Sequence, residues 1–240
     1  MDMKAVSNGI RKVLPLKYCG AVIVAAGNAS RMGGIDKVMA ELDGEPMIVR
    51  TVRTFQSCDA IKEIVIVTRE DLIMPIMKLC ADLDKVKAVV AGGASRAESV
   101  MLGLGALSNQ VKLAAIQDGA RPLITHEVID RTVRAAHSYG AAAPAIPVKD
   151  TIKVVAGGVV TGTPERKTLQ AVQTPQVFDL DLLKGALKKA FADGAEITDD
   201  CSAVERLGMK VKIVEGDERN IKVTTPMDLK IAELLLEEMK

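Results

Sequence analysis

Strand-like apolar runs and helix-like segments alternate along this chain from residue 20 to about residue 147. That alternation constrains the fold more than any other feature of the sequence. Gly20-Ala21-Val22-Ile23-Val24-Ala25-Ala26 is an unbroken apolar run, as a central parallel strand needs when both its faces are covered. Further strands are predicted over 61–68, 86–90, 111–117 and 140–147. Helices are predicted between them over 46–55, 71–83, 95–107 and 127–139. Ser95 caps the third of these, and Pro75 sits in the first turn of the second or kinks it. Such alternation builds right-handed βαβ units. The fold class is therefore α/β, a Rossmann-like, mostly parallel twisted sheet flanked by helices.

The period breaks after residue 147. Residues 151–155 and 159–161 flank Gly157-Gly158 and read as a β-hairpin. A hairpin inserted there, within about 148–171, reads as an arm that packs on a partner subunit. Helices follow over 180–193 and 199–207, and strands over 210–214 and 220–223. An amphipathic helix over 226–239 begins at Pro226. Residues 1–18 have weak periodicity and read as a leader. With no internal repeat and no low-complexity linker, the chain reads as a single domain over 1–240 carrying one arm.

Composition narrows the partners. Hydrophobic residues make up 48% of the 240 residues and aromatics 2%, with no Trp. The core must be aliphatic, and the composition argues against a stacking surface for single-stranded nucleic acid. The net charge is +1 without a basic stripe, so work on phosphates must come from a few placed cations. Cys19, Cys58, Cys80 and Cys201 form no C-x-x-C pair, and His126 and His137 are too few for a zinc site. The cysteines read as reduced thiols of a cytoplasmic protein. No stretch approaches the ~18 apolar residues of a membrane span. Lys4, Arg11, Lys12 and Lys17 interrupt any signal-peptide core.

Four constellations carry candidate chemistry. Residues 25–37, from Ala25-Ala26-Gly27 to Lys37, follow the first strand at the sheet edge where open α/β folds bind ligands. Their small residues allow backbone N–H groups to approach a phosphate chain, and Arg31 and Lys37 add two cations. The segment also reads as a plain strand-to-helix turn with surface cations. It is not a P-loop, because no G-K-[ST] follows four residues after a glycine, and not a dinucleotide fingerprint, because Ala29 stands where the second glycine of G-x-G-x-x-G belongs. Asp118, in Gln117-Asp118-Gly119-Ala120-Arg121-Pro122, ends an apolar strand, where it either holds Mg²⁺ or caps a turn. Gly92-Gly93-Ala94-Ser95-Arg96, followed by Ser99, is either a base-reading loop or a capped βα turn. The late motifs are Gln173-Thr174-Pro175-Gln176, Thr198-Asp199-Asp200 and Asn220-Ile221-Lys222-Val223-Thr224. In the last of these Lys222 is a functional cation or an edge-strand lysine.

Taken in order, these segments resemble the 2-C-methyl-D-erythritol 4-phosphate cytidylyltransferases over about residues 20–238. The resemblance also rests on Ser99-Val100, Pro147-Val148 with Asp150-Thr151-Ile152-Lys153, and Asp228-Leu229. It implies a homodimer joined through the hairpin arm, with CTP and Mg²⁺ (or another divalent cation) in the site. Arg31, Lys37 and Lys222 would neutralise the triphosphate and the transition state, and Asp118 would bind the metal. Ala25, Ala26 and Gly27 would cradle the nucleotide, and Gly93 and Ser99 would contact the cytidine. Arg121, Thr151, Arg166 and Thr198 would hold a sugar-alcohol phosphate, with Thr151 and Arg166 reaching the other subunit's site. The sequence departs from the family's usual residues at Asp36, Val38, Gln117, Gly119 and Gln170. A ribitol 5-phosphate cytidylyltransferase would share nearly every motif. Readings from other classes are a nicotinamide-dependent dehydrogenase, which the failed glycine fingerprint opposes, and a non-catalytic nucleotide-binding protein, which the intact cation set opposes.

Overall fold

The computed structural model of the protein describes residues 16–27 and 37–239, Lys37 in its backbone alone. The strands are β1 (Cys19–Ala25), β2 (Glu41–Leu42), β3 (Glu45–Pro46), β4 (Glu63–Thr68), β5 (Val86–Ala91), β6 (Leu113–Asp118), β7 (Ala141–Pro147), β8 (Val154–Ala156), β9 (Val159–Gly162), β10 (Gln170–Val172), β11 (Gln176–Asp179) and β12 (Lys212–Glu215). The helices are α1 (Met47–Ser57), α2 (Glu70–Leu79), α3 (Arg96–Ala106), α4 (His126–Tyr139), α5 (Leu180–Ala192), α6 (Asp200–Glu205) and α7 (Pro226–Glu238).

An eight-stranded sheet runs β10-β7-β11-β6-β1-β4-β5, with β12 paired to β7. β1 pairs in parallel with β4 on one side and β6 on the other, and β5 continues in parallel beyond β4. The strand order reverses between β1 and β6, which makes the gap outside their carboxyl ends a topological switch point where open α/β sheets hold ligands.

Side-chain alternation divides the core. Ala21, Ile23 and Ala25 of β1 join the cluster formed with α1, α2 and α4, whereas Val22 joins the one formed with α3, α5 and α6. Leu42, Met47, Leu123, Val223, Ala232 and Leu236 form a third cluster that seats α7 on the β2–β3 hairpin.

The sheet is mostly parallel, as expected, with β11 antiparallel between β6 and β7 and β10 antiparallel beside β7. Two expectations need correction. Residues 220–223 form no strand. Their backbone is bonded to loops instead: the Val223 N–H donates to the Ala120 carbonyl at 2.9 Å, and the Asn220 carbonyl accepts from Arg121 Nη1 at 2.6 Å. Helix α2 stops at Leu79, with Pro75 in its interior and not in its first turn. Of the expected leader, residues 1–15 lie outside the described residues. Tyr18 already belongs to the domain, since its carbonyl accepts N–H bonds from Lys112 and Leu113.

A hairpin forms over 154–162, its first strand starting at Val154 and not at residue 151. β8 and β9 pair with each other in a separate two-stranded sheet, and Gly157 and Gly158 make the turn at φ values of 58° and 80° that only glycine adopts readily. Among the described residues no helix is long and apolar enough to cross a membrane.

Candidate active site

A cavity of about 450 Å³ opens at the switch point. Ala25, Ala26 and Gly27 line it from the end of β1, Thr68 and Arg69 from the end of β4, and Asp118 from the end of β6. The loop after β5 adds Gly92, Gly93, Ala94 and Ser95, and α3 adds Arg96 and Ser99. Lys222 enters from the loop before α7.

Local chemistry sets the α3 wall. The Ser95 Oγ accepts the Glu98 N–H at 3.1 Å and caps α3, and Glu98 Oε2 accepts the Ala94 N–H at 2.8 Å. The positive end of α3 therefore faces the cavity, a favourable environment for an anion. Ser99 Oγ accepts the Gly93 N–H at 3.1 Å and donates to the Ser95 carbonyl at 2.9 Å. Its one proton is committed to shaping the loop, and only an acceptor lone pair is left for a ligand.

Asp118 is the electrostatic centre. Lys222 Nζ lies 2.7 Å from its Oδ2, Arg121 Nε 3.8 Å from the same oxygen, and Arg96 Nη2 3.4 Å from its Oδ1. Burial opposes the Asp118 anion, but Arg96 first, then Lys222 and Arg121, hold the carboxyl below its ordinary range. Behind Arg96 lies Asp200, whose Oδ2 is 2.8 Å from Arg96 Nη1. The two form a buried ion pair, with Asp200 1% exposed. Burial pushes the Asp200 carboxyl up against the pull of Arg96.

A buried polar lattice holds these groups in place. The Asp118 N–H donates to Thr174 Oγ1 at 3.1 Å, and Asn220 Nδ2 donates to the Thr174 carbonyl at 2.9 Å. Gln176 Nε2 donates to Asp199 Oδ2 at 2.8 Å, while its Oε1 accepts the Cys201 N–H at 3.0 Å. The 173–176 motif thus supports the site from behind: it stitches the Asp118 strand to the Lys222 loop and to the start of α6.

Of the residues singled out in the sequence, Ala25, Ala26, Gly27, Gly93, Ser99, Asp118 and Lys222 line one cavity. Arg121 sits beside it, largely buried, bound to Asp118 and to the Asn220 carbonyl. Thr198 is exposed in the loop before α6, and Thr151 and Arg166 lie exposed on the arm; none of the three lines the cavity of its own chain. Arg31 and the Lys37 side chain, with Asp36, lie outside the described residues. Sequence reasoning gave no role to Arg96, Arg69 or Asp200. Arg69 was detectable as the polar residue that ends an apolar strand run, as Asp118 does. Gln117 is fully buried and, next to Asp118 on a strand, faces the opposite side of the sheet, so this departure from the family lies behind the cavity and not in it.

A family model described as 2-C-methyl-D-erythritol 4-phosphate cytidylyltransferase matches residues 19–238. The chain belongs to that family. The cytidylyltransferase of this name from Symbiobacterium thermophilum is 46% identical over 219 residues, covering 90% of this chain and 92% of the relative. The one from Caldanaerobacter subterraneus is 43% identical over 221 residues, covering 90% and 97%. Among solved structures, the 4-diphosphocytidyl-2C-methyl-D-erythritol synthase of Anaerococcus prevotii superposes with a TM-score of 0.84 at 32% identity, covering 92% of this chain and 96% of that one. Membership in this cytidylyltransferase family makes the chain a nucleotidyltransferase with an α/β fold, and the dehydrogenase reading falls away.

Proposed function

We propose that this protein transfers CMP from CTP to 2-C-methyl-D-erythritol 4-phosphate and releases pyrophosphate, a step of isoprenoid precursor synthesis. The observation that carries this reading is the Asp118–Lys222 pair at the switch point, facing the amino terminus of α3 within one cavity.

The chemistry suits such a site. A phosphomonoester has a second pKa of about 6, so near neutral pH the acceptor phosphate is mostly a dianion and needs no general base to attack the α-phosphorus of CTP. Positioning and charge stabilisation are then the protein's contribution. The histidines lie elsewhere: His126 contacts Ser57 at 2.9 Å, and His137 accepts the Lys17 N–H at 3.4 Å.

In this reading Ala25, Ala26, Gly27, Gly93 and Ser99 bind the nucleotide, and Lys222 moves from Asp118 to phosphate. Arg31 and Lys37 share the neutralisation. Arg121, Thr151, Arg166 and Thr198 hold the acceptor. A divalent ion such as Mg²⁺ fits the donor set. Asp118 offers one ionised carboxylate, and Mg²⁺ is commonly bound by one or two carboxylates together with substrate phosphates. Among the described residues no group of three or more His, Cys, Asp or Glu side chains forms a separate metal cage. When bound, the ion neutralises charge on the triphosphate. The arm, with Val154, Val155, Val159 and Val160 exposed, supports a homodimer joined through it.

The test is pyrophosphate release from CTP with methylerythritol phosphate and, separately, with ribitol 5-phosphate. Turnover with the first acceptor and CTP in the presence of Mg²⁺ is expected. Turnover with ribitol 5-phosphate alone, or with no acceptor, overturns the assignment.

A further inference from the structure

Arg96 and Lys222 both face Asp118, yet they are held differently. Lys222 is 42% exposed and reaches Asp118 Oδ2 at the end of a flexible stem. Arg96 contacts carboxylates through both terminal nitrogens, Nη2 at Asp118 Oδ1 and Nη1 at Asp200 Oδ2. Asp200 is 1% exposed and cannot follow Arg96 into solvent. Its two chain neighbours are held by a single side chain. Gln176 of β11 donates to Asp199 and accepts from the Cys201 N–H. Asp199 also caps α6, its Oδ1 accepting the Ser202 N–H at 2.9 Å. The Arg96 guanidinium is thus anchored to the sheet through a buried carboxylate, whereas the Lys222 ammonium has only its stem.

Asp118 Oδ2 therefore faces an exchangeable cation at 2.7 Å, with Arg121 farther off at 3.8 Å, and Oδ1 faces a clamped one. Once Lys222 turns to phosphate, Oδ2 loses its nearest counter-ion while a polyanion sits close by. Only Arg121, at 3.8 Å, then remains by Oδ2, and the carboxylate needs a closer hold on Oδ1 to keep its aim. We propose that Asp200 is a positioning residue of the transfer reaction: by clamping Arg96 it keeps Asp118 Oδ1 held, and so keeps the Asp118 carboxylate aimed into the cavity while Lys222 is engaged elsewhere. Asp200 touches no substrate and acts only through Arg96. The role goes beyond membership of the family and rests on reading the cavity as a triphosphate site.

Calorimetric CTP binding, with and without Mg²⁺, tests the link in four full-length proteins: wild type, Asp200→Asn, Asp118→Asn and the double variant. Asp200→Asn is expected to weaken Mg²⁺-dependent CTP binding about tenfold or more, as loss of a residue that orients a metal ligand does. Metal-free CTP binding should stay within about twofold, and in the Asp118→Asn background the Asp200 change should cost less than about twofold, because the two act in series. Equal Mg²⁺-dependent affinity in Asp200→Asn and wild type overturns the proposal. So does the same loss with or without Asp118, which marks a merely structural effect. If Asp200→Asn does not fold, Arg96→Gln opens the same link from the cavity side. The same tenfold loss, abolished by Asp118→Asn, is then required, and an unchanged affinity overturns the proposal. If wild-type protein does not bind CTP at all, the reading of the cavity fails, and this inference with it.

Discussion

Asp118 is 8% exposed and ionised, a combination that burial alone would forbid. Three cations make it possible, and their unequal tethering separates their roles. Lys222 is the most exposed and the least constrained, so it is the one free to follow a phosphate. Lys222→Ala should lower kcat by roughly 10²–10³-fold, the usual cost of removing one group that stabilises transition-state charge. The melting temperature should barely move, because Arg96 and Arg121 still neutralise Asp118. Pyrophosphate release and a thermal melt on the same sample check both halves, and wild-type turnover would remove Lys222 from the machinery. The same electrostatics set a pH dependence. A carboxyl held below its ordinary value of about 4 adds stability that is complete above that pH and lost as pH falls through the depressed value. Asp200, pushed up by burial, has the opposite sign: its contribution is complete in acid and lost as pH rises through the raised value. Below about pH 4, then, the wild-type melting temperature should fall more steeply than that of Asp118→Asn. Parallel curves down to acid would show that ionised Asp118 contributes nothing to stability.

At the scale of elements, α3 connects core packing to the site. A Cβ on Gly103 would lie 2.4 Å from Val22 Cγ1 and 2.7 Å from Val67 Cγ2, on the strands β1 and β4 beneath it. Both neighbours are β-branched and stiff, so the helix must lift instead. Gly103→Ala gains up to about 1 kcal/mol of helix propensity but loses about 1–3 kcal/mol to overpacking, and the loss wins. The expected result is a melting temperature lower by ~2–8 °C together with weaker CTP binding, because Arg96 and the Gly93 loop ride on the same helix. A stabilised variant with unchanged CTP affinity would refute the close packing. The long periodic elements of this layer were legible in the sequence, because burial on one or both faces dictates where apolar residues fall. β11 was not: Gln176-Val177-Phe178-Asp179 is four residues with two polar ends, and its place comes from the unpaired edges of β6 and β7. Conversely Asn220-Ile221-Lys222-Val223 alternates like a strand, yet its backbone bonds go to the Asp118 loop and to Arg121. In the site, the residues that end strands were legible one by one. The Arg96–Asp200 pair was not, because two residues far apart in sequence meet only once α3 and α6 pack on one face of the sheet.

For the whole molecule, the switch point collects residues from β1, β4, β6, α3 and the α7 approach, while the arm stands apart from all of them. β8 and β9 pair only with each other, and a lone two-stranded hairpin is marginal in water. Its exposed valines form an apolar surface of the kind that marks an interface. Val155 and Val160 are cross-strand partners, 54% exposed each. Replacing both by Asp sets like charges directly opposite and charges the apolar face, which opposes the hairpin and the contact together. Because Thr151 and Arg166 sit at the base of this arm and away from their own chain's cavity, loss of the contact should cut turnover while leaving CTP binding, built from residues of one chain, within about twofold. Sedimentation should then show wild type as a dimer and Val155→Asp/Val160→Asp as a monomer. A wild-type monomer, or a double variant that still sediments and turns over like wild type, would mean that the arm joins no second subunit and that Thr151 and Arg166 serve no neighbouring site.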